Sequence, residues 1–140
     1  MKLLRPSETA ESILDIDYER LYRLGNRCIL FDLDNTLGGR RPARLAPEVT
    51  ALLDKLTKTG FRVGIITNRR FGTKDAVIVE LAESYPVRYR AGKPWKKGFL
   101  DILAKMNLPA ERAVMIGDRL FTDVFGANRL GIYSIRIKPT

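Results

Sequence analysis

Residues 27–36 read Arg-Cys-Ile-Leu-Phe-Asp-Leu-Asp-Asn-Thr, a short apolar run that ends abruptly in acids. The run predicts a buried strand over residues 27–31, because consecutive apolar residues suit a strand that is covered on both faces. Asp32 and Asp34 then stand one residue apart at the end of that strand. Two carboxylates in this position repel each other and lose hydration, which a divalent cation would relieve. An acidic cap or turn is the competing interpretation.

Apolar strands and amphipathic helices alternate along the rest of the chain. Four further strands are predicted, over residues 61–66, 86–89, 113–116 and 132–137. Strands that alternate with helices form parallel sheets with helices on both faces. The sequence therefore predicts an α/β fold, a Rossmann-like three-layer sandwich with a five-stranded parallel sheet.

The predicted helices are short and have clear boundary signals. Two amphipathic segments, residues 7–16 and 17–24, precede the first strand, and Gly25 is a candidate C-cap. The four later helices are expected to begin at or near Pro47, Thr73, Pro94 and Phe121.

The composition fits one intracellular globular domain. A chain of 140 residues suggests a single domain over 1–140, with a helical segment over 1–25 and a core over 26–140. The absence of His excludes His-based triads and His zinc motifs, and the single Cys28 excludes an internal disulfide. No apolar run approaches the length of a membrane span, so a cytoplasmic protein is expected.

The net charge of +9 is concentrated in the middle of the chain. Residues 37–100 contain fourteen basic and five acidic side chains. Such a basic region suits an anionic partner, whether phosphate, nucleic acid or an anionic membrane surface. A solvated face that only aids solubility is the alternative.

Polar side chains also follow the other predicted strands. Thr67 and Asn68 come directly after one strand, and Asp118 follows another. Ligands of open α/β sheets bind at the carboxyl ends of the strands, so these groups and the two acids of the first strand are expected to converge. Carboxylates there suit Mg²⁺ together with a substrate phosphate.

Two further charged residues are candidates for the same site. Lys93 stands just before a predicted helix start, where anions are favoured, so a bound anion would compensate for its charge. Asp123 lies five residues after Asp118 and is either an acid of the helix start or another member of the site.

Four motifs occur in order: DLDNT at 32–36, IITN at 65–68, GKP at 92–94 and GDRLFTD at 117–123. They resemble the signature motifs of the haloacid dehalogenase (HAD) superfamily of phosphohydrolases. The sequence around the last two motifs resembles the YqeG-type HAD phosphatases of subfamily IIIA, in GKPWKKGF and in GDRLFTDVFGANRLG. That group is similar to the mitochondrial phosphatidylglycerophosphate phosphatases.

The resemblance implies a phosphomonoester hydrolase that works through an aspartyl-phosphate intermediate. It implies that Asp32 is the nucleophile, and that Asp34 protonates the leaving oxygen and then activates water. Thr67 would hold the transferred phosphoryl group with the help of Asn68. Lys93 would neutralise charge on Asp32 and on the phosphate.

The resemblance also implies a metal site and an open cavity. Mg²⁺ would be bound by Asp32, Asp118 and the backbone carbonyl of Asp34, with Asp123 supporting Lys93 or the surroundings of the metal. HAD enzymes often insert a cap domain after the first motif or between the second and third. Both stretches are short in this sequence, so no cap domain is expected.

An open site suits a large substrate. A basic rim that binds an anionic substrate is predicted from five arginines on loops beyond the strand ends: Arg40, Arg41, Arg44, Arg69 and Arg70. An anionic phospholipid reached by peripheral membrane contact fits, and so does a nucleic acid end or a sugar phosphate. The alternative is a non-catalytic or weakly catalytic module that binds nucleic acid or a ribosomal partner. The intact acids and Lys93 argue against it, because binding alone needs no nucleophile.

Overall fold

The structure, a computed structural model, describes residues 2–70 and 72–138, and within them one sheet of six parallel strands. The strands are β1 (Glu8–Ala10), β2 (Cys28–Phe31), β3 (Arg62–Ile66), β4 (Val87–Arg88), β5 (Ala113–Gly117) and β6 (Tyr133–Ile137). Their order is β1-β6-β5-β2-β3-β4, so β2 lies between β5 and β3. Since every neighbouring pair is parallel, all strands end at the same edge of the sheet.

Helices cover both faces of this sheet. They are α1 (Tyr18–Arg23), α2 (Pro47–Lys58), α3 (Ala76–Ala82), α4 (Lys96–Met106) and α5 (Gly126–Asn128), with a π-helical segment, Leu120–Phe125, before α5. On one face α2 and α3 pack in the same apolar cluster as Ile29 and Phe31, and on the other α4 packs with Cys28 and Leu30. This alternation buries β2 on both sides and confirms the predicted three-layer α/β fold.

Cys28 belongs to this buried core. Its side chain is fully covered, and burial raises the pKa of the thiol to about 12, against a small opposing effect of Arg62. A buried thiol that stays protonated is chemically inert, so Cys28 contributes packing only.

The sheet has six strands where the sequence predicted five, because the N-terminal segment adds an edge strand. β1 lies within residues 7–16, for which helical spacing predicted a helix. The backbone N–H of Ser7 donates to the carbonyl of Ser134 at 2.8 Å, and β1 pairs along β6. A 3₁₀ turn, Ile13–Asp15, is the helical remainder of the segment. Without β1, the backbone N–H and C=O groups along one edge of β6 would be unpaired. They provide hydrogen-bond partners that no local sequence pattern reveals.

Helix boundaries near the strand ends also differ from the predicted ones. Thr73 lies in a 3₁₀ turn, and α3 begins after Asp75 instead. α4 begins at Lys96, two residues beyond Pro94. The helix expected from Phe121 is a π-helical segment that leads into the single turn of α5.

The described residues leave the carboxyl edge of the sheet uncovered by a cap domain. The link from β2 to α2 is a loop of turns, and the link from β3 to β4 holds one 3₁₀ turn and α3. Among the same residues, no helix combines the length and the apolar character needed to cross a bilayer.

Candidate active site

The ends of the central strands surround a cavity of about 220 Å³. It is lined by Asp32, Asp34, Arg41, Thr67, Asn68, Arg69, Lys93, Arg119 and Thr122. Most of the residues singled out from the sequence therefore meet here, as expected for an open α/β sheet. A larger groove of about 530 Å³ lies against α1 and α2 and contains none of these residues.

Lys93 is the buried cation of the site. Its Nζ donates to Asp32 Oδ1 at 2.7 Å, to Asp123 Oδ1 at 2.8 Å and to the carbonyl of Ile66 at 3.0 Å. The side chain is only 2% exposed, and its three protons have three acceptors. Lys93 therefore fixes the orientation of Asp32 and supplies positive charge at the floor of the cavity.

Burial and charge act in opposite directions on this pair. Burial lowers the pKa of Lys93, but the carboxylates of Asp123 and Asp32 more than compensate, so that pKa lies above its ordinary value. Burial raises the pKa of Asp32 to about 7, an effect that Lys93 opposes and Asp123 reinforces. The site thus holds a charged lysine between acids that repel each other.

Three buried carboxylates form a group that fits a cation. One oxygen each from Asp32, Asp118 and Asp123 lies within 4.8 Å of the others. Asp118 Oδ1 is buried and has no hydrogen-bond partner within residues 2–70 and 72–138. Burial and the charge of Asp123 raise the pKa of Asp118. A hard divalent cation would give this oxygen the partner that it lacks.

Asp123 is held by the turn that follows β5. Its Oδ2 accepts from the backbone N–H of Arg119 at 3.2 Å, while Oδ1 accepts from Lys93. A Cβ on Gly117 would lie 2.3 Å from Oδ2, so only glycine allows this close approach. The glycine that ends β5 is therefore part of what positions Asp123.

Thr67 and Asn68 occupy the end of β3 with different partners. Thr67 is buried, and its Oγ1 accepts from the backbone N–H of Arg69 at 3.2 Å. Asn68 Oδ1 accepts from the backbone N–H of Lys93 at 2.8 Å, and its Nδ2 donates to the carbonyl of Lys93 at 3.2 Å. Asn68 was predicted as a phosphate ligand. Its side-chain amide instead hydrogen-bonds to the backbone of Lys93.

Arg69, predicted for the exposed rim, is buried against two acids. Its Nε and Nη2 donate to the Asp34 carboxylate, and Nη1 donates to Asp75 Oδ2 at 2.8 Å. Asp34 contributes its carboxylate to this pair and not to the group of three acids. No local pattern predicts this pairing, because Asp34 lies 35 residues before Arg69 and contact between them depends on how the two strand ends meet.

The exposed positive charge at the cavity comes from one arginine that was predicted for the rim, Arg41, and from one that was not, Arg119. Arg41 and Arg119 are exposed and line the cavity, together with the half-buried Thr122. The other predicted rim arginines, Arg40, Arg44 and Arg70, are exposed but are not among the lining residues. The basic loop at 40–44 pointed to Arg41, and the GDRLFTD motif contains Arg119 and Thr122, yet neither pattern shows which side chains face the cavity.

Comparison with known proteins identifies the family. A family model described as haloacid dehalogenase-like hydrolase matches residues 14–131. The chain belongs to this family. The match contains all four motifs and every acid of the cavity, which confirms the predicted superfamily.

Individual relatives support the predicted enzyme class. The probable phosphatase YqeG of Bacillus subtilis is 31% identical over 138 residues, which cover 99% of this chain and 79% of that protein. The chloroplastic phosphatidylglycerophosphate phosphatase 1 of Chlamydomonas reinhardtii is 29% identical, and the match covers 98% of this chain but about half, 54%, of that protein. A HAD phosphatase structure from Thermococcus onnurineus, 28% identical with a TM-score of 0.58, is matched over 66% of this chain and 46% of its own.

Proposed function

We propose that the protein hydrolyses phosphate monoesters in the cavity at the ends of β2, β3 and β5. The observation that carries the proposal is the buried contact of Lys93 with Asp32 and Asp123. A buried lysine between two acids is costly to assemble, and its charge offsets that of Asp32, the acid that an anionic phosphate would have to approach. Phosphoryl transfer depends mainly on such positioning and charge neutralisation.

The chain's own residues account for two successive steps. An oxygen of Asp32 attacks phosphorus, the bond from phosphorus to the ester oxygen breaks, and the leaving oxygen takes a proton from Asp34. Asp34 then takes a proton from water, which attacks phosphorus of the aspartyl-phosphate, and inorganic phosphate leaves as Asp32 is restored. Thr67 holds the phosphoryl oxygens, and Lys93 keeps Asp32 oriented.

A magnesium ion fits the acids of this site. Asp32, Asp118 and the backbone carbonyl of Asp34 would hold it, with the unpartnered Asp118 Oδ1 as the clearest open ligand position. When bound, Mg²⁺ supplies neutralising charge for the phosphoryl oxygens. Asp123 would remain on Lys93 and would support the cluster without reaching the substrate.

The decisive experiment compares wild type with Asp32→Asn on para-nitrophenyl phosphate and on a panel of lipid, sugar and nucleotide phosphates. We expect turnover that needs Mg²⁺, stops in EDTA and falls more than about 10³-fold in Asp32→Asn. Asp54→Asn, an exposed acid on α2 paired with Lys58, is the matched control and should keep full activity. Turnover that survives Asp32→Asn would refute the proposal.

We propose further that the phosphate is carried by an anionic phospholipid at a membrane surface. Two exposed aromatic side chains lie close in sequence to residues that line the cavity: Trp95, 66% exposed, two residues after Lys93, and Phe121, 59% exposed, between Arg119 and Thr122. Aromatic and basic side chains together favour the interface of an anionic bilayer. The similarity to phosphatidylglycerophosphate phosphatases is in line with this substrate class.

Trp95 is the only tryptophan of the chain, so its fluorescence reports on this surface alone. Vesicles that contain phosphatidylglycerol should shift its emission to shorter wavelength, and vesicles of pure phosphatidylcholine should not. Phe121→Ser should weaken binding to the anionic vesicles. Leu24→Ser is the matched control, because Leu24 is equally exposed but precedes β2 at the opposite edge of the sheet. An unchanged spectrum with active enzyme would reject the lipid surface while leaving the reaction class intact.

A further inference from the structure

The buried guanidinium of Arg69 binds the carboxylate of Asp34. Arg69 Nη2 donates to Asp34 Oδ1 at 2.7 Å, and Nε lies 3.2 Å from both carboxylate oxygens. The Arg69 side chain is 6% exposed, whereas that of Asp34 is 30% exposed and lines the cavity. Both residues line the cavity, and the partly exposed acid is held there by a largely buried arginine.

The guanidinium is itself anchored outside the cavity. Nη1 donates to Asp75 Oδ2 at 2.8 Å, at the residue before α3, and Nη2 also donates to the carbonyl of Pro42 at 3.2 Å. Neither Asp75 nor Pro42 lines the cavity. One side chain therefore joins the loop after β2, the loop after β3 and the start of α3.

These contacts leave Arg69 poorly suited to bind the substrate directly. Nε, Nη1 and Nη2 each already donate to a protein oxygen. A planar guanidinium that grips a carboxylate at two points fixes its orientation as well as its position. A partly exposed aspartate without such a grip would sample several rotamers. Proton transfer needs hydrogen-bond reach, so that orientation decides whether Asp34 meets the leaving oxygen.

We propose that Arg69 is a positioning residue that aims Asp34 at the leaving oxygen, and that Asp75 holds Arg69 in place. The inference rests on the proposed phosphomonoester hydrolysis. It assigns protonation of the leaving oxygen to Asp34 as held by Arg69. It predicts a dependence on the leaving group, because only a poor leaving group needs the proton of Asp34.

The test compares kcat/KM for glycerol phosphate, an alkyl ester, with kcat/KM for 2,4-dinitrophenyl phosphate, whose leaving group departs as an anion. Both values report steps up to the loss of the leaving group. In Arg69→Ala and Arg69→Lys we expect at least about a tenfold fall for the alkyl ester and little change for the dinitrophenyl ester. Equal falls for both esters would show phosphate binding or a general structural role and would overturn the proposal.

Asp75→Asn provides a second route to the same answer. It should lower kcat/KM in the same selective way but less, although Asp75 does not line the cavity. Arg88→Ala is the matched control, because Arg88 also pairs with an aspartate, Asp101, and with backbone carbonyls, but outside the cavity. If Arg69→Ala does not fold, Asp75→Asn decides: a selective fall supports the proposal, and unchanged or equally lowered values overturn it.

The outcome is separable from that of the proposed function. The comparison of the two esters is made on wild type whose turnover has been shown to need Asp32. Turnover that is independent of Asp32 means that the reaction assignment is wrong. Asp32-dependent turnover without the leaving-group effect means that only the role of Arg69 is wrong.

Discussion

Two clusters at the cavity share one charge pattern, a single cation between two aspartates. Lys93 bridges Asp32 and Asp123, and Arg69 bridges Asp34 and Asp75. The first is almost completely buried, whereas the acids of the second are partly exposed. We therefore expect the same charge pattern to have different consequences, with a larger loss of stability when the cation of the buried lysine cluster is removed than when that of the arginine cluster is removed.

The largest effect is expected from removing the buried lysine. Lys93→Ala should lower the free energy of unfolding by about 3–5 kcal/mol, because it leaves two buried acids without their cation. Urea unfolding followed by circular dichroism measures the change. Lys97→Ala is the control, since Lys97 pairs with Asp101 on an exposed face and should cost less than about 1 kcal/mol. Similar losses in the two variants would contradict the difference between buried and exposed pairs.

Stabilisation of the fold by a metal ion should depend on the acids around Lys93 and not on those around Arg69. Mg²⁺ at a hundred times its dissociation constant should stabilise the wild type by about 2.7 kcal/mol, because it binds the folded acids and not the unfolded chain. Thermal unfolding in Mg²⁺ and in EDTA measures the effect. Asp118→Asn should abolish the shift, and Asp75→Asn should preserve it. A shift that persists in Asp118→Asn would place the cation elsewhere.

Removing the arginine should cost less than removing the lysine. Arg69→Ala is expected to lower the free energy of unfolding by about 1–2 kcal/mol, because water can reach the acids that it leaves behind. The same urea titration measures the change, with Arg88→Ala as the reference because Arg88 is partly exposed and pairs with a partly exposed aspartate. A loss as large as that of Lys93→Ala would mean that the two clusters are equally structural.

The smallest effect separates two neighbouring arginines at the cavity mouth. Arg41→Ala should raise KM for anionic phosphomonoesters roughly two- to fivefold, because an exposed charge contributes little to binding. Arg40→Ala should leave KM unchanged, since Arg40 does not line the cavity. Steady-state kinetics at low salt measure both. The opposite order would mean that the loop rearranges when substrate binds.

Most residues of the candidate site were predictable from local sequence. Buried apolar strands followed by acids placed Asp32 and Asp118 at the ends of β2 and β5, and parallel pairing made these ends converge. The edge strand β1 was not predictable, because three residues carry little local signal and their partner, β6, lies more than a hundred residues away. The helical spacing of residues 7–16 predicted a helix there, whereas pairing with the edge of β6 makes residues 8–10 a strand.

What the sequence determined by itself was the α/β fold, the family and the positions of the acids, because periodicity and motif order are local properties. Only the tertiary structure decided the full set of charge pairs. The motif resemblance implied the contact of Lys93 with Asp32, 61 residues away, whereas no sequence pattern predicted that Arg69 pairs with Asp34, 35 residues away. The tertiary structure also decides that Asn68 hydrogen-bonds to the backbone of Lys93 and that Arg119 lines the cavity. Charge pairing depends on distance in space and on burial, and neither is written in the spacing of residues along the chain.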